Sequence, residues 1–288
     1  AMNRVVCAGH VNWDVTLHVD DLPDPDGEAA ITHQSQAGGG SASNTACALA
    51  GLGVEVPLLG SIGSDRYGTL VEEELQAVGV DCEPLVSVSG ETTVKYIVVD
   101  DDGEVFVLAN EGVNEAYGTA DLPAETLAEA DRLHLTSQDP ATAKDLQQRA
   151  QTRSIPVSFD PGRRLGSRAF DDLVRDVDLL FLNEREASEV ADLLDSRQSP
   201  TVIKRGDGGA VFRDESQTIS HEGFDVTARD TAGAGDAFAA GFLAARLRGR
   251  PVRRALATAN SCGALAVQSS GARVDLSWEA VEQYCRTH

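Results

Sequence analysis

One run of nine residues, DTAGAGDAF at positions 230–238, constrains this chain most, and an alanine-rich helical pattern follows it at 239–247. A glycine-rich loop that opens a helix presents backbone N–H groups at the positive end of the helix dipole, which is an arrangement that binds phosphate. A carboxylate at the same place repels anions, so the presence of Asp236 beside an anion site has to be explained by a chemical role. The pattern indicates a base that accepts a proton from an attacking hydroxyl while the amides hold a phosphoryl group.

A simpler interpretation of the same run is an N-capped helix after a flexible loop. Gly233 and Gly235 would then only permit a tight turn, and Asp236 would be a carboxylate in the first helical turn. A short G-x-G-D pattern does not separate the two interpretations by itself, because short motifs often match by chance.

The composition limits the size of the fold and the kind of partner. The chain has 288 residues, 42% of them hydrophobic, and 46 acidic residues against 24 Lys and Arg, giving a net charge of -22. This length allows one sizeable core with a small appendage. The negative field argues against nucleic acid and anionic membranes as partners. Acidity spread along the chain is typical of proteins from a salt-loving cytoplasm, with an ordinary acidic bacterial enzyme as the alternative.

The cysteines and the start of the chain bear on the compartment. Five cysteines stand at positions 7, 47, 82, 262 and 285, and no two of them have C-x-x-C spacing. Scattered thiols in odd number predict reduced cysteines in a cytoplasm, with neither a disulfide framework nor a zinc site. The chain opens into a strand pattern at 4–9, so we expect no signal peptide and no membrane span.

Strand and helix patterns alternate along most of the chain, which predicts an α/β fold with a largely parallel sheet. Helices are expected at 43–52, 68–78, 255–266 and from 141, and strands at 4–9, 56–60, 132–135, 157–160, 179–183 and 202–204. In such sheets a ligand lies beyond the carboxyl ends of the strands. Asp160, Asn183 and Lys204 all end strands, so they are expected at that edge.

Two segments, near 13–37 and 90–113, break this alternation. Residues 15–19 with 30–36, and 93–99 with 104–108, have the period of two that is typical of hairpin strands with one polar face. Such strands do not fit inside a sheet that helices cover on both faces. We therefore predict a small separate sheet, called the lid below, that covers the site.

Three further elements complete a family pattern. They are GHVNWD at 9–14, GGGSASNTA at 38–46 and NERE at 183–186. With the run at 230–238, and in this order, they resemble the ribokinase-like (PfkB) carbohydrate kinase family over essentially the whole chain. The resemblance implies one domain, 1–288, built as a three-layer α/β sandwich with a central, mostly parallel sheet and the β-sheet lid inserted.

The resemblance also implies roles around the acceptor. Asp236 corresponds to the catalytic base, and the amides of Gly233, Ala234 and Gly235 to the anion hole. The residues that would hold substrate hydroxyls are Asn12, Asp14, Gly39, Gly40 and Asn44. Carboxylate and amide side chains suit polyols, because they make paired hydrogen bonds. For Asn12 and Asp14 the alternative is ordinary turn and cap chemistry.

The same family pattern implies ATP and two kinds of cation. The positions that match its nucleotide site are Asn183, Lys204, Gly206, Gly209 and Asn260. Glu186 corresponds to a carboxylate linked to Mg²⁺ through water, with a plain helix-surface charge as the alternative. A loop for a monovalent cation, K⁺, corresponds to Asp230, Ala232 and Ser270.

Departures from the family pattern bear on the substrate. Ser41 stands where ribokinases tend to carry Lys, and Gln138 where they carry an acidic sugar contact. Lys95 occupies a lid position that is usually small or apolar. It is either a solvated lid charge or a ligand for an anionic group of the substrate, and Arg163 and Arg164 would add to such a site or to the nucleotide site.

The leading hypothesis is an ATP- and Mg²⁺-dependent kinase that phosphorylates a hydroxyl of a sugar or sugar derivative, with a nucleoside kinase or sugar-phosphate kinase as the alternative. Trp13 would stack on a nucleoside base or belong to the core. A non-catalytic sensor has no use for Asp236, and a dinucleotide-binding dehydrogenase lacks G-x-G-x-x-G after the first strand. The expected partner is a small sugar or nucleoside, and the lid is a candidate surface for a homodimer.

The charge predicts that folding needs salt. A net charge of -22 repels itself, and salt screens that repulsion, with a Debye length of about 10 Å at 0.1 M and much less at molar salt. The thermal unfolding midpoint is expected to rise between 0.1 M and roughly 2 M KCl. A midpoint that is the same at both concentrations would leave the acidity without a halophilic explanation.

Overall fold

The computed structural model describes residues 2–23, 25–102, 104–227, 230–269, 271 and 273–287. In these ranges the strands form one nine-stranded sheet and one separate four-stranded sheet. The large sheet consists of β1 Val5–Ala8, β4 Leu58–Gly63, β5 Leu85–Val88, β8 Arg132–Thr136, β9 Val157–Asp160, β10 Leu179–Asn183, β11 Thr201–Lys204, β12 Ala210–Arg213 and β13 Thr218–His221.

The strand order of the large sheet is β13-β12-β11-β10-β9-β8-β1-β4-β5. Neighbours from β11 to β5 pair in parallel, whereas β12 and β13 pair antiparallel. The change of direction follows from the short turn after β11, because only antiparallel strands can be joined by so few residues. The prediction of a mostly parallel sheet is confirmed, and its two antiparallel edge strands were not predicted.

The described helices are α1 Ser41–Gly51, α2 Arg66–Ala77, α3 Ala124–Ala128, α4 Pro140–Gln151, α5 Asp171–Asp176, α6 Glu184–Glu189, α7 Ala191–Asp195, α8 Ala234–Leu247, α9 Val252–Gln268 and α10 Trp278–Thr287. The large sheet separates two buried clusters. Val5 and Cys7 of β1 face the cluster with α1, α8 and α9, while Val6 and Ala8 face the one with α4. This alternation is the period of two of a strand covered on both faces, and it gives the predicted three layers. None of the helices in the described ranges has the length and apolarity that crossing a membrane requires.

The four-stranded sheet is the separate sheet that was predicted from these segments, and it keeps the name lid; that it covers the site stays a prediction. It consists of β2 Asn12–Val19, β3 Ile31–Gly39, β6 Val94–Val99 and β7 Val105–Ala109, in the order β3-β2-β6-β7. β2 and β6 pair in parallel and the outer pairs are antiparallel. All of β7 is exposed, which is unusual for an apolar strand and leaves its side chains without cover on either face.

The strand register brings polar strand ends to one edge of the large sheet. Thr136 pairs with Asp160 across β8 and β9, and Asn183 pairs with Lys204 across β10 and β11. α6 begins directly after Asn183. The expectation that strand ends converge at the carboxyl edge is therefore confirmed, and this edge carries the candidate site.

Candidate active site

The start of α8 is an open helix N-terminus. Gly233 takes the left-handed conformation at φ 72° before the first helical residue, and no side chain caps the helix. The N–H of Ala234 makes a long bond, 3.4 Å, to the carbonyl of Thr231. In the described part of the chain the N–H groups of Gly233, Gly235 and Asp236 have no acceptor. Free amides at the positive end of a helix are suited to an anion.

Asp236 lies at this helix start and contacts α1. The Nδ2 of Asn44 donates to Oδ2 of Asp236 at 2.9 Å, across 192 residues of sequence. Burial raises the pKa of Asp236 to about 7, although the Asn44 hydrogen bond and the charge of Lys204 oppose the rise. A carboxylate with this pKa exchanges a proton near neutral pH, as a general base must.

Two of the residues expected to bind the acceptor, Asn12 and Asn44, have a buried amide oxygen without a donor. Asn12 is fully buried, and its Nδ2 donates to Oδ1 of Asp14 at 2.7 Å. Within the described residues, Oδ1 of Asn12 and Oδ1 of Asn44 make no hydrogen bond. A buried acceptor without a donor costs about 1–3 kcal/mol. Hydroxyl groups of a bound polyol would supply the missing donors at both positions.

Glycine is required beside these side chains because the packing leaves no room for a Cβ. At Gly39 a Cβ would overlap the carboxylate of Asp14. At Gly40, where φ is 100°, it would collide with the carbonyl of His10. The two glycines therefore let the start of α1 approach β2 closely, which brings Asn44 toward Asp236.

A second polar group lies at the ends of β9, β10 and β11. The Nζ of Lys204 contacts Oδ2 of Asp160 at 2.5 Å. Asn183 caps α6 by accepting from the N–H of Glu186 at 2.8 Å, and Oε2 of Glu186 accepts from the N–H of Asn183 at 2.9 Å. Glu186 is buried, and burial followed by the charge of Asp160 raises its pKa.

These carboxylates fit a hard divalent cation. Asp160, Glu186 and Asp236 all interact electrostatically with Lys204, so one cation faces three acidic groups. Added positive charge would relieve the raised pKa of Glu186, which stems from burial and from Asp160. Because Mg²⁺ keeps several waters and takes few protein ligands, two carboxylates suffice to hold it.

Gln138, expected as a sugar contact, makes its hydrogen bonds inside the protein, and a contact with the acceptor stays a prediction. It is fully buried, and its Oε1 accepts from the hydroxyl of Tyr117 at 2.9 Å. Its Nε2 donates to the carbonyls of Ala8 and Thr136. Both ends of the amide are therefore used inside the protein, and Gln138 links the end of β1 to the end of β8.

The glycines and asparagine expected at the nucleotide shape local backbone. Gly206 and Gly209, at φ 56° and 80°, form the turn between β11 and β12, and a Cβ at Gly209 would strike the carbonyl of His221. Asn260 is buried and its Nδ2 donates to the carbonyl of Glu222 at 3.2 Å. Its amide nitrogen thus holds the segment after β13, and a nucleotide contact by Asn260 stays a prediction.

The loop expected to bind a monovalent cation is tied by Asp230. Oδ1 of Asp230 accepts from the N–H of Ala232 at 2.8 Å, and Oδ2 accepts from the N–H of Gly271 at 3.0 Å. Ser270 lies outside the described residues. Asp230 therefore connects the two loops that such a cation would join.

Lys95 lies beside the acceptor residues rather than on the outer surface of the lid. It pairs with Asp14 across β2 and β6 and is half-buried. Burial raises the pKa of Asp14, and the charge of Lys95 opposes that rise. The same charge also opposes the raised pKa of Asp236, whose main cause is burial.

Trp13, in contrast, is buried and stacks on Tyr67, so it belongs to the core and is not free to stack on a base.

Three residues near the site were not found from the sequence. Nε2 of His10 and Nη1 of Arg168 both contact Oε1 of Glu115, at 2.7 and 2.6 Å. His10 and Glu115 are 105 residues apart, and Arg168 and Glu115 are 53 apart. No local spacing links them. The available signal was the position of His10 inside the polar turn at 9–14.

Comparison with known proteins agrees with this geometry. The chain is 48% identical over 290 residues to an ATP-dependent ribose-1-phosphate kinase of Halopiger xanaduensis, covering 98% of both chains. It is 27% identical to a nucleoside kinase of Methanothermobacter thermautotrophicus, covering 97% of this chain and 95% of the relative. The structure of Arabidopsis thaliana ribokinase complexed with ribose and ATP matches with a TM-score of 0.88 at 21% identity, over 99% of each chain.

The family follows from the extent of the match. The model of the pfkB family of carbohydrate kinases matches residues 2–279. The chain belongs to the pfkB family of carbohydrate kinases, and it is an ATP-dependent phosphotransferase whose acceptor is a hydroxyl of a sugar or sugar derivative.

Proposed function

We propose that the acceptor is a sugar that already carries a phosphate group, of the ribose 1-phosphate type. The observation that carries the proposal is the environment of Lys95. It is half-buried beside Asp14, and in the described part of the chain it makes no ion pair within 4.0 Å. The name of the 48% identical relative, an ATP-dependent ribose-1-phosphate kinase, supports the same class of substrate.

Charge makes the position of Lys95 informative. The chain has 46 acidic residues and 24 Lys and Arg, so carboxylates are plentiful as partners for any exposed cation. Lys95 acts on Asp14 and Asp236 through its charge, but in the described part of the chain neither carboxylate pairs with it within 4.0 Å, so its ammonium group can still bind an anion that a ligand supplies. A phosphate group on the acceptor would supply it.

Asp236 is the proposed general base. Its carboxylate would accept the proton of the acceptor hydroxyl, because it lies next to the unpaired amide oxygen of Asn44 and has a pKa raised to about 7 by burial. The free N–H groups of Gly233 and Gly235 would hold the transferred phosphoryl oxygens, with Ala234 contributing once its long bond to Thr231 opens. Lys204, close to Gly235, would add positive charge there.

The cations are part of the proposal. Glu186 and Asp160 would hold Mg²⁺ through its waters, and the metal would screen the charge of the nucleotide phosphates. Asp230 and Ala232, together with Ser270 outside the described residues, are proposed for K⁺. A cation there would stabilise the loop that leads into Gly233.

Replacing Asp236 tests its role. Asp236→Asn keeps the shape and can still accept from Asn44, but it cannot take a proton. We expect kcat to fall by about 10²–10⁴-fold, the usual contribution of a general base, while the Kd for ATP stays near the wild-type value. Steady-state kinetics and calorimetric ATP binding measure the two quantities. A variant with more than about half of the wild-type kcat would remove Asp236 from this role.

The pH profile of the wild type gives an independent check on the same residue. Burial holds the pKa of Asp236 at about 7, so the group is protonated below that pH and cannot act as a base. We expect kcat/KM for the acceptor to rise with pH through about 7 and then level off. The residual activity of Asp236→Asn should lack this step, and a variant that retains the step would assign it to another group.

Lys95 separates a phosphorylated acceptor from a neutral one. If Lys95 binds the phosphate, Lys95→Ala loses a charge-assisted hydrogen bond worth roughly 1.5–3 kcal/mol, so KM for ribose 1-phosphate should rise about 10- to 150-fold. KM for ATP should barely change. A panel of ribose, ribose 1-phosphate and nucleosides with Mg²⁺-ATP identifies the best acceptor first. A neutral best acceptor with silent Lys95→Ala kinetics would contradict the proposal and favour a nucleoside or plain sugar kinase.

The exposed face of the lid is proposed as the contact of a homodimer. Val105, Phe106, Val107 and Leu108 of β7 are 45–59% exposed, although all four are apolar. A second copy of the chain would cover them. Light scattering should give twice the chain mass of 30.4 kDa, and Phe106→Asp should give the monomer. The matched control is Val78→Asp, an exposed apolar residue outside the lid; equal loss of dimer in both variants would contradict a contact through β7.

A further inference from the structure

His10, Glu115 and Arg168 form a cluster beside the candidate active site. Its members come from three places: the turn between β1 and β2, the segment after β7, and a 3₁₀ turn at residues 162–167 that ends before Arg168. The carbonyl of His10 packs against Gly40. The cluster therefore adjoins the residues expected to bind the acceptor. His10 belongs to the GHVNWD element at 9–14, whereas Glu115 and Arg168 lie outside the four elements of the family pattern.

Positive charge gathers around His10. Burial lowers the pKa of His10, the hydrogen bond to Glu115 opposes this, and the charges of Arg164 and Lys95 lower it further. These two cations come from different layers, since Lys95 is on β6 of the lid and Arg164 on the turn after β9. With Arg168, three cations thus surround one histidine at the edge of the pocket.

Glu115 alone does not balance this charge. Its pKa is lowered to about 2, first by the hydrogen bond from His10 and then by Arg168, so it is ionised at any working pH. Glu115 contacts Arg168, Asp14 pairs with Lys95 across neighbouring strands, and Asp139 acts with Glu115 and Arg168 on Tyr117. In a chain with a net charge of -22, three cations grouped beside the residues expected to bind the acceptor are suited to an anionic ligand.

Arg168 has donors left to bind such a ligand. Its Nη1 contacts both Oε1 of Glu115 and the carbonyl of Gln138, each at 2.6 Å. In the residues that the structure describes, neither Nε nor Nη2 of Arg168 makes a hydrogen bond, and the side chain is 19% exposed. A guanidinium has five N–H donors in a planar fork that matches phosphate oxygens in pairs. Glu115 and Gln138 hold one arm of this fork and leave the other arm open.

We propose that Arg168 binds the phosphate group that the acceptor sugar carries, and that Lys95 binds the same phosphate from the lid. This inference rests on the proposed function, in which the acceptor is a sugar phosphate. The sugar would then span the pocket, with its phosphate at Arg168 and the hydroxyl that receives the new phosphoryl group at Asp236. Gln138 contributes indirectly, because its buried amide fixes the backbone carbonyl that Arg168 contacts.

Kinetics of Arg168 variants test the assignment. Arg168→Gln removes the charge and the fork, and Arg168→Lys keeps the charge alone. We expect KM for ribose 1-phosphate to rise about 30- to 100-fold in Arg168→Gln, because both the charge and the paired hydrogen bonds are lost. The rise should be smaller in Arg168→Lys, which loses the paired hydrogen bonds but keeps the charge. KM for ATP, and kcat/KM for unphosphorylated ribose, should stay within about threefold of the wild type. Inorganic phosphate should compete with ribose 1-phosphate in the wild type and only weakly in Arg168→Gln.

A matched control separates this effect from the loss of any partly buried ion pair. Arg4 pairs with Glu55 and Glu129, its side chain is 27% exposed, and it precedes β1 at the opposite edge of the sheet. Arg4→Gln changes the net charge equally and should leave KM for ribose 1-phosphate unchanged. Thermal unfolding reports whether each variant is folded. If Arg168→Gln does not fold, the kinetics of Arg168→Lys test the proposal.

The outcomes distinguish this inference from the proposed function. If wild-type enzyme prefers ribose 1-phosphate but both Arg168 variants match Arg4→Gln in KM and in phosphate inhibition, the inference is wrong and the proposed function stands. If the wild type prefers a neutral acceptor and inorganic phosphate does not compete, the proposed function itself is wrong. If kcat/KM falls equally for ribose and for ribose 1-phosphate in the Arg168 variants, Arg168 has a structural role, and the assignment is wrong.

Discussion

The carboxylate of Asp236 is the constraint on which the rest of the site depends. An ionisable group with a pKa raised to about 7 by burial must be held by partners, because a buried charge without them is costly. Each partner comes from a different part of the fold: Asn44 from α1, Lys204 from the end of β11 and Lys95 from the lid. The large sheet, one helical layer and the lid must therefore be correctly assembled before Asp236 has its environment.

Local rules predicted the parts of this assembly that depend on local sequence. The period of two separated the lid strands from the buried strands, and the strand-end rule brought Asp160, Asn183 and Lys204 to one edge. The glycine-rich starts of α1 and α8 were predicted from glycine-rich runs that open helical patterns. The structure gives the local reason at Gly40, where φ is 100° and the backbone approaches closely. These features follow from the backbone, which a short stretch of sequence largely determines.

Side-chain partnerships over long separations were beyond the same rules. Oε1 of Glu115 accepts from His10 and Arg168, which are 105 and 53 residues away, and nothing in the spacing of these residues joins them. The internal hydrogen bonds of Gln138 were not predicted for a related reason, since the partners of a buried amide depend on which groups the fold brings around it. Tyr117 and two backbone carbonyls use all of its side chain. The two antiparallel strands after β11 were missed because short strands at a sheet edge carry little periodicity.

The way the lid is attached connects the choice of acceptor to closure of the site. Lys95 lies at the start of β6, and the segment after β7 leads to Glu115, so one hairpin carries a proposed phosphate ligand and the carboxylate that holds Arg168. Its base is anchored, because Oδ1 of Asp65 accepts from the hydroxyl of Thr92 at 2.6 Å and Oδ2 from the N–H of Thr92 at 3.0 Å. The residues proposed for the nucleotide lie instead at the strand ends of the large sheet. An anionic group that binds both Lys95 and Arg168 would thus join the lid to the rigid sheet and exclude water around Asp236, whereas a neutral sugar lacks the charge to join them.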